Sequence, residues 1–137
     1  MTRKPRLSAR IFGPVAAGTL LAAMSLPALA GDYTKEVSTA AAHAGFAAAS
    51  TTIANVHMHL HHTINCLVGP TGTGYDANEM NPCKDLGDGA IKDTMDATKQ
   101  QMLNAAVTKA EAGLATDDLP TATMDASAVQ AMLKNAM

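Results

Sequence analysis

From Tyr33 to Val68 the apolar positions Ala42, Phe46, Ala49, Ile53, Val56, Leu60 and Leu67 recur at intervals of three and four. That spacing draws one face of an α-helix. No proline interrupts the stretch and alanine is frequent, so backbone propensity agrees with the pattern. It predicts a single helix over about 33–68, ended by Gly69-Pro70. Residues 69–89 hold five glycines and two prolines and predict a loop. Ile91, Met95, Thr98, Met102 and Ala105 or Ala106 then mark a second helix over about 90–115, with Asp88 as its cap. A turn is expected at 116–122. A third helix is expected at about 124–137, with Val129, Met132, Leu133 and Ala136 facing inward. No segment alternates with period two, so strands are not expected. The expected fold is all-α: a small antiparallel helical hairpin or bundle with one long first helix and two shorter ones.

The N-terminal thirty residues follow a different logic. Arg3, Lys4, Arg6 and Arg10 precede an apolar run from Ile11 to Leu26, then Pro27 and Ala28-Leu29-Ala30. This is the three-part layout of a secretory signal peptide with an Ala-x-Ala cleavage site. A membrane anchor needs roughly 20 unbroken apolar residues, whereas this run is shorter and is broken by Gly13, Pro14 and Gly18. Residues 1–30 are therefore expected to be removed. The remainder, 31–137, is expected to be one periplasmic or secreted domain with no membrane span.

Loss of the leader changes the charge. Six lysines then face all twelve acids, a balance that repels nucleic acid and mildly favours cations. Tyr33, Phe46 and Tyr75 are the aromatics left, so the core must be built from Ala, Leu, Ile, Val and Met. Three helices of unequal length would leave apolar surface on the first one uncovered, which a homodimer would bury.

Cys66 and Cys83 are the only cysteines. In an exported chain an even count reads first as a disulfide, here one that clamps the glycine-rich loop to the end of the first helix. The alternative is thiolate ligation.

Chemistry concentrates at Val56-His57-Met58-His59-Leu60-His61-His62-Thr63-Ile64-Asn65-Cys66, where four of the five histidines occur within six residues. Imidazole is the commonest protein ligand for transition metals, and sulfur favours softer ions. On a helix turning about 100° per residue, His57 and His61 form an i, i+4 pair that can share an ion. Met58 and His62 form another, with His59 close by and Cys66 one turn beyond. His43 shares the flank of His57 but on a straight helix lies roughly 21 Å away, so it is expected to be a surface or packed residue. The ligand set read from spacing is His57, His61, Met58, His62 and His59. Met80, beside Cys83, is the one methionine outside the helices within reach of such a set. The other methionines sit at helical spacing as core filler.

Copper is the favoured ion and zinc the alternative. Non-covalent haem b is a further alternative; there is no Cys-x-x-Cys-His for covalent attachment. No nucleophile triad or phosphate-binding loop occurs, and the His-x-x-x-His pair lacks the Glu of a zinc-peptidase helix. The loop acids miss calcium-loop spacing. An enzyme is not expected. The sequence thus reads as an exported metal-binding protein for sequestration, delivery or tolerance. The other reading is a cell-envelope interaction or pH-responsive protein whose histidines contact a partner.

Overall fold

The computed structural model describes residues 31–137; the expected signal peptide, 1–30, lies outside them. Helices make up most of the described chain and strands are absent from it, as the periodicity predicts. Among these residues no helix is long and apolar enough to cross a membrane.

The expected first helix is two helices. α1 runs Tyr33–Ala48 and α2 runs Ile53–Val68. Between them the chain reverses. Ser50 Oγ donates to the Phe46 carbonyl at 2.8 Å, closing the end of α1. Thr52 then takes an extended conformation (φ −133°, ψ 143°) and its hydroxyl accepts from the Asn55 N–H, capping α2. A serine and two threonines in a row compete with helical backbone for hydrogen bonds, which is why they favour ends over interiors. Periodicity could not reveal the reversal, because the link preserves the three-and-four spacing.

α3 is one short turn, Ala90–Asp93, and α4 spans Ala97–Leu114. The expected 90–115 helix is therefore also divided, at 94–96. Asp96 restarts it by accepting from the Thr98 and Lys99 N–H groups at 2.8 and 3.1 Å. Met95, expected on the apolar stripe, sits in this break and is 97 % exposed. α5 spans Leu119–Ala136 and begins earlier than expected. Asp118 accepts from the Thr121 N–H at 3.0 Å, and Pro120 lies in the first turn, where its missing N–H costs no intrahelical bond.

Four helices pack in a ring, with α1 between α2 and α5 and α4 closing the circle against both. Neighbours run antiparallel. Tyr33 at the start of α1 donates to the Ala136 carbonyl at the end of α5, and His57 near the start of α2 meets Thr116 just past the end of α4. The core combines small α1 residues (Ala40, Ala41, Ala44, Ala47) with Val56, Leu60, Ile64 and Leu67 of α2 and Leu103, Val129 and Leu133 opposite. The inward face of α1 is thus rotated from the expected stripe, since Ala42 and Ala49 are exposed and Phe46 is 54 % exposed. α2 and α5 cover the Ala40, Ala41, Ala44 and Ala47 face of α1.

The 69–89 loop is tied down. Cys66 and Cys83 are bonded, with Cα atoms 5.1 Å apart. Buried Asn65 donates through Nδ2 to the carbonyls of Asp76, Glu79 and Met80 and accepts from the Asp76 N–H. Gly69 leaves α2 with φ +66°, and a Cβ there would run into the Asp88 carbonyl. Only glycine suits such a position. The loop therefore lies against α2 alongside its histidines.

Candidate metal centre

The hairpin register builds the centre. Thr63 Oγ1 donates to the His59 carbonyl of its own helix at 2.9 Å and to the Ala40 carbonyl of α1 at 3.3 Å. With Ala40 facing Thr63, the next turn of α1 brings His43 against the preceding turn of α2. His43 therefore meets His59 and His62.

These three imidazoles converge. One nitrogen from each lies within 4.8 Å of the other two. The ring centroids are 5.2 Å apart for His43 and His62, 5.5 Å for His43 and His59, and 5.6 Å for His59 and His62. His43 Nδ1 and His59 Nδ1 are 3.3 Å apart. Tetrahedral ligands held about 2.0–2.1 Å from an ion stand about 3.3–3.4 Å from one another. Two of the three are thus already at ligand spacing, and the third needs a small closure.

Protonation suits the same chemistry. Burial, followed by the neighbouring His62 and His59, pushes His43 down to about 4. Burial and His59 likewise hold His62 below the usual imidazole range, against a smaller opposing pull from Glu79. Both rings are neutral at pH 7 and keep a lone pair, as metal ligation requires. His62 is 4 % exposed, and its Nδ1 is buried with no hydrogen-bond partner among the described residues. A buried ring nitrogen left unpaired costs stability unless something else engages it.

The remaining residues of the sequence-derived set lie around this trio. His57 Nε2 donates to the Thr116 carbonyl at 3.0 Å, on the side toward the α4–α5 turn. His61 Nδ1 faces Asp76 Oδ2 at 3.6 Å. These two rings thus have separate neighbours. Met58 is half-buried one turn before His62. Cys66 and Cys83 carry no free thiol, so thiolate ligation gives way to the disulfide. Met80 is exposed on the loop.

Sequence reasoning placed His43 about 21 Å from His57 along a straight helix; the chain reversal at 49–52 sets it beside His59 instead. The Ser50-Thr51-Thr52 run was the available signal. Phe46 completes the rim, with its ring centroid 5.5 Å from those of both His43 and His59. Comparison with protein-family models, curated proteins and solved structures finds no match to this chain.

Proposed function

We propose that the chain is an exported metal-binding protein that holds one ion, copper in preference to zinc, through His43, His59 and His62. The observation that carries this reading is the convergence of three imidazole nitrogens from two helices within 4.8 Å. Three histidine ligands suit a divalent first-row ion. Among such ions copper(II) binds a given nitrogen site most tightly, and Met58 is a thioether one turn before His62 on the same helix. Rings 5.2–5.6 Å apart suit a bare ion better than a haem macrocycle.

The role proposed is binding: the Phe46 ring borders the trio, and the Glu79 carboxylate faces His62 Nε2. Sequestration or delivery fits a site reached from an exposed rim. The Arg/Lys-led apolar leader supports work in the periplasm or outside the cell.

Elemental analysis of untagged protein recovered from the periplasm tests the reading. About one copper per chain is the expected content. Protein that is metal-free as purified and takes up neither copper nor zinc at micromolar concentration would overturn it.

A further inference from the structure

His62 has two ring nitrogens in different surroundings. Nε2 stands 3.5 Å from Glu79 Oε2, and Nδ1 is buried without a partner among the described residues. A neutral imidazole carries one proton. On Nδ1 that proton would be a buried donor with no acceptor, and the Nε2 lone pair would face a carboxylate oxygen. On Nε2 it faces the carboxylate, and Nδ1 keeps the lone pair an ion needs.

The placement of Glu79 is secured from the helix that carries His62. The Glu79 carbonyl accepts from Asn65 Nδ2 at 3.3 Å, and Asn65 follows His62 by about one turn of α2. The Cys66–Cys83 bond fastens the same loop a residue further along the helix. Glu79 and His62 are thus held by a short, closed path of covalent and hydrogen-bonded links.

We propose that Glu79 is the positioning residue of the metal centre, holding His62 with its proton on Nε2 and its Nδ1 lone pair free for the ion. This rests on the metal-binding reading and assigns the loop a part in it. Carboxylates and carbonyls that engage the far nitrogen of a ligating histidine fix its tautomer and raise its basicity. Glu79 lies outside the three residues whose ligand atoms converge and faces His62 Nε2, so it is assigned to act through His62 and not as a ligand.

The test combines imidazole ¹⁵N spectra of the metal-free protein with copper and zinc competition titrations, on the wild type, Glu79→Ala and Glu79→Gln. The wild type should show His62 protonated at Nε2. Glu79→Ala should mix the two tautomers and weaken metal binding roughly 10–100-fold with an unchanged melting temperature. Glu79→Gln, which keeps an acceptor oxygen, should restore most of both. An Ala variant with wild-type tautomer and affinity would overturn the proposal. So would lost affinity with the tautomer intact, which would make Glu79 a direct ligand. A wild type that binds no metal would overturn the metal-binding reading instead, and the tautomer comparison would still decide whether Glu79 sets the His62 proton.

Discussion

His43 and His59 are sixteen residues apart in the chain, yet their Nδ1 atoms lie 3.3 Å from each other. A reversal of four residues between two helices creates that contact. The centre is therefore a property of the hairpin, and whatever weakens the hairpin should weaken the centre.

Thr52 is the first place to probe this. Thr52→Ala removes the side chain that accepts from the Asn55 N–H. Loss of such a cap costs about 1 kcal/mol, which for a domain of this size lowers the melting temperature by about 4–8 °C. Thermal unfolding followed by circular dichroism measures it, and a Thr52→Ser control should stay near the wild type.

The disulfide makes a larger contribution. Cys66 and Cys83 are 17 residues apart, and closing a loop of that length stabilises by about 3 kcal/mol in the chain-entropy model. Replacing both cysteines by serine should lower the unfolding free energy in urea by about that amount. Helix content should stay unchanged at low denaturant, since Asn65 still holds the loop carbonyls.

Glu36 contributes a pH dependence of its own. It is fully buried; Oε1 accepts from the Gly89 N–H, while Oε2 has no partner among the described residues. Burial, followed by the charges of Asp93 and Asp32, raises it from 4.5 to about 7 despite the Gly89 bond. The folded state thus holds this proton more tightly than the unfolded one. The associated stability is complete below pH 4.5, is lost as pH rises toward 7 and is absent above. Glu36→Gln keeps an acceptor for Gly89 and carries no charge. Its stability relative to the wild type should therefore rise across that window, levelling at about 3–4 kcal/mol. Urea denaturation of both proteins from pH 4 to pH 8 measures the difference, which isolates Glu36 from the opposing effect of His43.

What could be read from the sequence, and what could not, divides along physical lines. Helix against strand was legible because 3.6-residue periodicity dominates, and the clamp was legible because two cysteines flank a glycine-rich loop. Helix ends were harder. Thr52, Asp96 and Asp118 each start a helix by capping it, and each lies where the apolar spacing runs on undisturbed or where proline suggested a turn. The density of histidines in α2 signalled a candidate metal site, and His59 and His62 belonged to the set read from it. His43 did not, because its place depends on α1 folding back. Glu79 was one loop acid among several, and its 3.5 Å approach to His62 Nε2 is what singles it out.

The most direct test of the account is a copper and zinc competition titration of five single variants: His43→Gln, His59→Gln, His62→Gln, His57→Gln and His61→Gln. Each of the first three should lose more than the roughly 100-fold that removal of a supporting residue costs. His57→Gln and His61→Gln should bind close to the wild type, since those rings face Thr116 and Asp76. Wild-type affinity in His43→Gln, with the loss appearing in His57→Gln or His61→Gln, would contradict the account and return the site to one face of α2.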